Sequence, residues 1–463
     1  MPQCRHLSPL RRIPGPFLAS LTEYWLVLID LAGKRTATIH ELHRKYGPAV
    51  RIGPSEVSFS DAAVVDQIYT QQTVFMKAPA YDFMSVKPAG IFSLRDKSAH
   101  SRRRGLLSHA FSQQSLDNCL PLINDKIDLL LATVARNRDK PLDMLLRFRL
   151  LALDIVGELF LGQSFDGLKE DKPPQFLHDG DLHFTQSGLQ GNLPWLHKLL
   201  SMLPIQSVQS FLGSSERVAQ FGNTAYKDYI KKYGRDSKRR DLLTKILASG
   251  SSMAMTARET YVEIGNLVFA GSDTTSTTLT YMFWELARHP QWQTKIQEEL
   301  RRSDEKQSLD YNRPLPVLEA VINEALRLHP AAPSSLLRVV PMGGSDIAGY
   351  ALPPGTTVSM QCYTTQRNST AFPDPDTFNP QRWLNSDMSA DAKLLFMPFS
   401  RGTRACLGRN LAMMELKGVS AALLARYRVS APAHTDEESM TMVDHFLTQP
   451  KAGKCDLIFA PVT

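Results

Sequence analysis

Apolar residues recur every three or four positions through most of residues 61–330, which is the spacing of amphipathic helices. The segments Leu116–Ala135 and Leu145–Leu161 show this period over four to five turns. The string Thr256–Glu259 has the residues of a capping box and predicts the start of a longer helix, which can continue to Arg288. This part of the chain is therefore predicted to be almost entirely helical.

Short runs rich in β-branched residues flank the helical region on both sides. Ala49–Ile52 and Glu56–Ser60 are separated by Gly53–Ser55, whose residues favour a turn, so the two runs predict a hairpin. Leu337–Val340 and Thr357–Cys362 predict further strands after the helices. The predicted fold class is mainly α with small β-sheets.

Three prolines exclude regular structure around Phe372–Trp383, and a last helix is predicted from about Leu407 to Arg426. The 463 residues contain no internal repeat, low-complexity tract or Gly/Ser linker that would divide them. We therefore predict one large domain over residues 35–463, preceded by an N-terminal segment, residues 1–34, that contains a proline hinge.

The N-terminal segment carries an apolar series at helical spacing, which consists of Phe17, Leu21, Tyr24, Trp25 and Leu28. Such a series predicts either an amphipathic helix lying on a membrane surface or a surface helix packed on the domain. The sequence leaves both open. It has no run of eighteen apolar residues, so no membrane-spanning helix is predicted.

Charge and cysteine content exclude several classes of protein. The net charge is +7, but the basic residues are scattered, and their densest run, Arg102–Arg104, is expected to be a solvated helix face. Without aromatic residues between the basic ones, nucleic-acid binding is not expected. The five cysteines lie far apart without a C-x-x-C pair, which argues against a disulfide framework and a zinc knuckle and favours a reducing compartment.

One cysteine stands in a distinctive setting, the string FSRGTRACLG from Phe399 to Gly408. Gly402 and Gly408 bracket Cys406 and let the backbone approach a flat partner closely. The start of the helix after Cys406 favours a thiolate, which is the form that binds iron. Arg404 has the charge to pair with a carboxylate of a bound group. Phe399 can shield the sulfur from water.

The centre of the predicted long helix violates local helix preferences, since Ala270–Thr278 consists mostly of poor helix formers between apolar flanks. Such violations are expected at functional sites. The Thr274 hydroxyl is expected to compete for the carbonyl of Ala270 and so to loosen one turn. Gly271 is expected to leave room for a small ligand, and Asp273 and Thr274 are candidates for a proton relay.

These two strings resemble motifs of the cytochrome P450 family. Phe399–Gly408 matches the haem-binding loop F-x-x-G-x-R-x-C-x-G at every fixed position, and Ala270–Thr275 matches the helix pattern [AG]-G-x-[DE]-T-[TS]. The likeness begins near Leu42 and continues to the C-terminus. Its character is most similar to fungal members of secondary metabolism. The resemblance implies a cytochrome P450 fold, with the haem between the long central helix and the helix of the cysteine loop.

Other residues gain a role only through this resemblance. Glu324 and Arg327 are similar to the E-x-x-R pair of the family, whose third member would be Arg382, and their implied role is structural. Gln381 and Trp383 depart from residues common in other branches of the family.

Arg338 resembles a second propionate-binding arginine of the family. Arg104 and His100 resemble the ends of the family pattern W-x-x-x-R, with His100 in place of tryptophan. All three are implied donors to the haem carboxylates, together with Arg404.

The resemblance implies a haem-thiolate monooxygenase that binds haem b (heme b, iron protoporphyrin IX) through Cys406 and inserts one atom of O2 into an apolar small molecule. Electrons would come from NADPH through a separate NADPH–cytochrome P450 reductase, with Asp273 and Thr274 delivering protons. The expected substrate is a secondary metabolite such as a terpenoid or polyketide. Its pocket is expected near Phe269, residues 331–337 and the segments Tyr81–Ser93 and Asp181–Leu212. A monomer is expected.

Two rival functions remain within haem proteins. An isomerase or dehydratase would rearrange its substrate without O2, although Asp273 and Thr274 argue against it, and a non-enzymatic haem-binding protein would need no reductase. Eukaryotic relatives usually carry a membrane anchor before the hinge, here Pro14–Pro16, and this sequence lacks one. Loss of the anchor, a truncated chain start and peripheral contact remain open. The implied location is the cytosolic face of the endoplasmic reticulum membrane, with peripheral attachment.

Overall fold

The structure is a computed structural model that describes residues 8–84, 88–235, 237–247, 255–303, 313–385 and 387–462. Helices form most of it. The α-helices are α1 (Tyr24–Leu31), α2 (Arg35–Tyr46), α3 (Ala62–Ile68), α4 (Lys97–Ser108), α5 (Gln113–Asp117), α6 (Leu120–Arg136), α7 (Met144–Leu161), α8 (Gly167–Glu170), α9 (Gln175–Asn192), α10 (Pro194–Ser201), α11 (Gln206–Leu212), α12 (Ser214–Tyr233), α13 (Leu242–Leu247), α14 (Ala257–Arg288), α15 (Pro290–Ser303), α16 (Pro316–Leu328), α17 (Cys362–Thr365), α18 (Gln381–Leu384), α19 (Ala390–Leu395) and α20 (Arg409–Leu424).

Twelve short strands form four small sheets within the described residues. They are β1 (Ala49–Gly53), β2 (Glu56–Phe59), β3 (Met76–Lys77), β4 (Leu142–Asp143), β5 (Arg338–Val339), β6 (Ser345–Ile347), β7 (Tyr350–Leu352), β8 (Thr357–Ser359), β9 (Tyr427–Ser430), β10 (Met442–His445), β11 (Leu447–Pro450) and β12 (Asp456–Pro461). The largest sheet has the order β1-β2-β8-β5-β3, in which only the β2–β8 pair is parallel. The others are β4-β12-β9 and the hairpins β6–β7 and β10–β11.

Helices α7 and α14 pack against each other along the centre of the main core. Helix α7 is apolar on nearly every side, which is typical of a helix buried on all faces, and its Phe148 contacts Phe283 of α14 at 5.3 Å between ring centroids. Helix α14 begins at the predicted capping box, in which Thr256 and Glu259 exchange hydrogen bonds. Its 32 residues span about 48 Å at 1.5 Å per residue.

A second core lies between the largest sheet and the loops that lead to the cysteine string. The N-terminal segment contributes to it, since Leu10 and Ile13 are buried there. The Trp25 indole also donates a hydrogen bond of 3.2 Å to the carbonyl of Ile52 in β1. The proposed boundary at residue 34 stays a prediction, but described residues before it are packed on the rest of the chain.

Most of the predicted elements are confirmed, with shifted ends. The hairpin appears as β1 and β2, which are antiparallel, and the helix at Leu145–Leu161 begins one residue earlier. The strand predicted at Thr357–Cys362 ends at Ser359, and a short helix starts at Cys362. The region Phe372–Trp383 also contains the start of helix α18, because Pro380 lies just before the helix and so removes none of its hydrogen bonds.

The interpretation of Arg102–Arg104 as a solvated helix face was wrong. The run lies on α4, where Arg102, with a side-chain exposure of 36%, and Arg104 are both half-buried. Arg103 is 2% exposed and forms ion pairs with Glu259 and Glu263 of α14. The two acids lie four residues apart on one face of α14. They follow Arg103 by about 160 residues in the sequence, so the basic run itself does not reveal them as its partners.

None of the helices in the described residues combines the length and the apolar character that crossing a bilayer requires. The apolar N-terminal series is only partly helical, since α1 begins at Tyr24 and is preceded by a 3-10 turn at Leu18–Ser20. Trp25 faces the domain, whereas Phe17, Tyr24 and Leu28 are exposed. The segment therefore packs on the domain and also presents apolar side chains outward.

Candidate active site

The loop before α20 holds Cys406 in a fixed backbone conformation. Gly402 has a φ of +63°, and a Cβ there would collide with the carbonyl oxygen of Tyr69, so this position requires glycine. A 3-10 turn, Gly402–Arg404, follows, and the amide of Cys406 donates a 2.8 Å hydrogen bond to the carbonyl of Phe399. The bond closes the loop just before α20 begins.

The Cys406 side chain is accessible, although protein surrounds its sulfur. The side chain is exposed, yet the surrounding protein raises the pKa of its thiol through burial. The accessibility of the side chain and the burial of the thiol are both explained if the sulfur borders an interior cavity rather than the outer surface. The amides of Gly408 and Arg409 oppose the effect of burial on the pKa, as expected at a helix start, but burial outweighs them. Burial thus disfavours a thiolate here, and a cation beside the sulfur would stabilise it.

Gly408 is loosely surrounded, whereas Phe399 packs against the main core. Gly408 is the N-cap of α20, and a Cβ there would meet only Phe111, at 3.9 Å. Phe399 packs against the main core, and the Arg409 guanidinium lies 5.8 Å from the centroid of its ring. The shielding role of Phe399 stays a prediction.

Four basic side chains and one histidine gather around this loop: Lys77, His100, Arg104, Arg338 and Arg404. His100 is buried, and burial together with the charge of Arg404 lowers its pKa to about 3, so it is neutral. Burial and then Arg338 lower the pKa of Arg404 to about 10. The same two causes lower the pKa of Lys77 well below its usual value. The mutual effects show that these side chains form one cationic cluster.

Each arginine and the lysine of the cluster donate to main-chain carbonyls. Arg104 binds the carbonyl of Ala405 at 2.7 Å, and Arg404 binds that of Leu94 at 2.5 Å. Arg338 binds its neighbour Leu337 at 2.9 Å, and Lys77 reaches Phe92 at 2.5 Å. Within the described part of the chain, none of the four forms an ion pair with a carboxylate.

A buried cationic cluster of this kind is costly unless an anion shares the space. Asp96, an exposed residue at the start of α4, adds only one negative charge near Arg404. A planar group that carries two carboxylates beside a metal ligated by Cys406 fits both the cluster and the accessible sulfur. The residues of this chain therefore suit haem, with its two propionates on the cluster.

Helix α14 presents one accessible face in the middle of its buried length. Asn266 and Ala270 are exposed and Thr274 is half-buried, at a spacing of four residues that places them on the same side. All residues from Ser272 to Leu286 except Thr274 are buried. The predicted hydrogen bond is present, since the Thr274 hydroxyl donates to the carbonyl of Ala270 at 2.7 Å.

Asp273 lies beside Thr274 in a buried charge network. Its Oδ1 accepts a 2.8 Å hydrogen bond from Nε of Arg149 on α7, and Arg149 also reaches Asp181 at 2.7 Å. Burial raises the pKa of Asp273, and Arg149 opposes that rise. The carboxyl thus takes up a proton more readily than an exposed aspartate.

Gly271 is explained by a different contact from the one predicted. A Cβ at this position would lie 2.6 Å from Cγ1 of Val156 on α7. The missing side chain therefore lets α7 and α14 approach closely. The expectation that Gly271 leaves room for a small ligand is not supported by the direction in which its side chain would point.

The triad around Glu324 is present and buried. Arg327 forms two hydrogen bonds with Glu324, of 2.8 and 2.9 Å, and both side chains are 0% exposed. Arg382 adds a third bond at 3.0 Å, and the Trp383 indole donates to the other carboxylate oxygen at 2.8 Å. Trp383, noted as a departure from the family pattern, thus adds a further bond to the triad.

A polar cleft of about 380 Å³ lies further along α14, and α9 and α12 form its other walls. Its lining includes His183, Gln220 and Tyr261. Tyr261 precedes Thr274 by thirteen residues, or about 20 Å along the helix. The cleft therefore lies toward the start of α14, away from Thr274.

Two residues of the site were missed in the sequence. Lys77 belongs to no motif, and its sequence neighbours give no sign that it joins three arginines. Arg149 could have been found, because an arginine within the apolar run Leu145–Leu161 predicts a buried acidic partner. The identity of that partner, Asp273, required the packing of α7 on α14.

Known proteins resemble this chain over nearly its whole length. The family model described as Cytochrome P450 matches residues 14–457. The cytochrome P450 monooxygenase stcB of Emericella nidulans is 34% identical, over 97% of this chain and 88% of that protein. The cytochrome P450 monooxygenase aflV of Aspergillus parasiticus is 32% identical, over 98% and 91%. The averantin hydroxylase of Dothistroma septosporum is 33% identical, over 92% and 82%.

Proposed function

Because this chain belongs to the cytochrome P450 family and is a monooxygenase related to fungal enzymes of secondary metabolism, we propose that it binds haem b through Cys406 and oxygenates an apolar small molecule. One atom of O2 enters the substrate. The electrons come from NADPH through NADPH–cytochrome P450 reductase. The observation that supports this most is an accessible cysteine beside a cationic cluster in which, among the described residues, no basic side chain forms an ion pair with a carboxylate.

Each part of the chain has a distinct task in this proposal. Cys406 ligates the iron, while Arg104, Arg338, Arg404 and His100 hold the two carboxylates of the haem. When bound, haem supplies the activation of O2. Helix α14 packs against α20, the helix that follows the cysteine loop, and in this proposal its accessible face forms the opposite wall of the haem cavity.

Asp273 and Thr274 hold and move the protons that the reaction consumes. The Thr274 hydroxyl lies at the accessible face, and its bond to Ala270 fixes its orientation. Asp273 connects inward to Arg149 and outward through Asp181, whose side chain is 39% exposed. An arginine keeps its protons, so these two ion pairs orient the carboxyl of Asp273 beside Thr274 and do not themselves carry protons to it.

Replacing Thr274 with alanine is expected to leave haem bound but to lower the yield of product per NADPH on the order of tenfold. The reason is that the Thr274 hydroxyl no longer delivers the protons that the reaction consumes. The reducing equivalents then leave as hydrogen peroxide. Thr278→Ala is the matched control, since its hydroxyl also bonds a carbonyl one turn back, at 2.9 Å, but the residue is buried. Equal peroxide release by both variants would refute the role of Thr274.

The substrate class follows from the apolar side chains near the site and from the relatives. Phe269 on α14 and Leu336 and Leu337 after α16 are half-buried apolar residues. One relative bears the name averantin hydroxylase, and we propose that this chain acts on a comparable apolar secondary metabolite, a polyketide or a terpenoid.

The reaction is tested with the full chain, a reductase, NADPH and isotopically labelled dioxygen. Candidate terpenoids and polyketides are supplied, and the products are examined by mass spectrometry. We expect a product that gains one labelled oxygen atom and forms only with NADPH. A product that forms without NADPH or O2 would instead identify an isomerase or dehydratase.

We also propose peripheral contact with the cytosolic face of the endoplasmic reticulum membrane. An apolar groove joins α1 to the start of α10, and it is lined by Tyr24, Val27, Leu28, Leu193 and Trp195. Leu28 is 66% and Trp195 is 60% exposed. A tyrosine and a tryptophan beside exposed leucines suit the boundary between lipid head groups and acyl chains.

Changing Leu28 and Trp195 together to aspartate is expected to weaken binding to phosphatidylcholine vesicles at least tenfold, because each apolar side chain contributes about 1.5–3 kcal/mol on burial. Cosedimentation measures the bound fraction. Met342→Asp is the control, since Met342 is 92% exposed outside the groove. Unchanged binding of the double variant would exclude the groove as the membrane contact.

A further inference from the structure

Residues 90–95, here called the strap, form a compact turn between the largest sheet and α4. The carbonyl of Gly90 accepts hydrogen bonds from the amides of Ser93 and Leu94, at 3.0 and 2.9 Å. These two bonds close the strap into a turn, and groups from other elements also bind it.

One end of the strap is held by Glu263 of α14. The amide of Ile91 donates a 2.7 Å hydrogen bond to Oε1 of Glu263, a residue that is 1% exposed. The same oxygen pairs with Arg103 of α4, which Glu259 also contacts. Glu263 thus fixes the strap, α14 and α4 at a single point.

The strap packs so closely on α14 that a side chain at position 90 would require Asn266 to move. A Cβ on Gly90 would collide with Nδ2 of Asn266, and it would lie 3.4 Å from Oε2 of Glu263. Asn266 belongs to the accessible face of α14 that also includes Ala270 and Thr274. The contact therefore lies at the edge of the space that this face borders.

The other end of the strap is held by the cationic cluster. Arg404 donates to the carbonyls of Leu94 and Arg95, at 2.5 and 3.0 Å, and Lys77 donates to that of Phe92. The strap is thus suspended between a buried acid on α14 and the bases that surround Cys406.

We propose that Glu263 is a positioning residue that holds the strap as a wall of the substrate cavity and so limits the size of ligands that fit. This inference rests on the proposed function for its ligand, but the anchoring itself does not. Without the bond from Ile91, the strap leaves Asn266, and the cavity widens at that edge. Large ligands then gain affinity relative to small ones.

A purely structural role for Glu263 makes a different prediction. If the residue served only as a partner of Arg103, loss of its charge would matter and its acceptor oxygen would not. Glu263→Gln keeps an oxygen that can accept from Ile91 but removes the charge, whereas Glu263→Ala removes both. If Glu263 positions the strap, the strap keeps its place in Glu263→Gln and loses it in Glu263→Ala.

Hydrogen–deuterium exchange of the full chain measures the strap directly. We expect amide exchange at residues 91–94 to rise about tenfold in Glu263→Ala, the loss of about one hydrogen bond, and to stay near wild type in Glu263→Gln. Arg102→Ala is the control, because it removes an ion pair with Glu259 in the same network and leaves the bond from Ile91 to Glu263 in place. Equal exchange in Glu263→Ala and Arg102→Ala would overturn the proposal.

Gly90→Val acts on the strap without removing a charge and serves if Glu263→Ala does not fold. It is expected to raise exchange at the same amides. Gly105→Val is its matched control, since nothing lies within 4 Å of a Cβ at that helical position. If amide exchange at residues 91–94 were the same in the two valine variants, the close packing on which the proposal depends would be contradicted.

Ligand size is measured with two iron-binding probes, imidazole and the bulky azole clotrimazole, in the haem-loaded protein. The ratio of their affinities is expected to shift at least fivefold toward clotrimazole in Glu263→Ala and Gly90→Val. An unchanged ratio despite faster exchange would show that the strap is no wall of the cavity. Absence of any spectral shift in the wild type would refute the proposed function, while the exchange result would stand.

Discussion

Replacing Cys406 with alanine is expected to abolish monooxygenase activity and the thiolate signature in the absorption spectrum of the reduced carbon monoxide complex. The iron would lose the ligand whose electron density favours O–O cleavage. The cationic cluster would still hold the haem carboxylates, so some pigment is expected to remain. Absorption spectroscopy of the purified variant, at matched haem content, measures both effects.

The control for this variant is Cys119→Ala. Cys119 is 1% exposed, and burial raises the pKa of its thiol to about 12, so it offers no thiolate. Its replacement is expected to leave the spectrum unchanged. A normal thiolate signature in Cys406→Ala would mean that another side chain ligates the iron, and the site would have to be placed elsewhere.

Glu324→Ala is expected to destabilise the protein by about 3–5 kcal/mol, because it leaves the buried guanidinium of Arg327 without its charge partner. Burial alone raises the pKa of Glu324, but the bonds from Arg327 and Arg382 outweigh it and lower the pKa below its usual value. Glu324 also accepts from the amide of Asn379 at 2.8 Å. Denaturant unfolding measures the loss, and less haem is expected to be retained.

A surface ion pair provides the comparison. Glu298 and Arg302 lie four residues apart on α15, with side-chain exposures of 49% and 80%. Glu298→Gln is expected to change stability by less than about 0.5 kcal/mol. If the Glu324 variant unfolded at the same denaturant concentration as the Glu298 variant, the triad would have no structural role.

Much of the architecture could be predicted because it depends on local chemistry. The capping box at Thr256 and Glu259 predicts where α14 begins, and the turn residues after β1 predict where the chain reverses in the hairpin. The string around Cys406 was readable because its glycine, arginine and cysteine lie within ten residues. The Thr274 bond to Ala270 follows from helix geometry alone.

What could not be predicted depends on contacts between distant segments. Gly271 marks a close approach, but the sequence does not tell which neighbour it faces, and that neighbour is Val156. Arg103 was taken for a solvated residue because its acidic partners lie on another helix. Lys77 joins the cationic cluster only because β3 pairs with β5, the strand that contains Arg338.

The central claim is that the sulfur of Cys406 ligates the haem iron, and X-ray absorption at the iron edge of the purified haem-loaded protein tests it most directly. The account predicts one sulfur neighbour of the iron in the wild type and in Cys119→Ala, and none in Cys406→Ala. An iron with only nitrogen and oxygen neighbours in the wild type would contradict it.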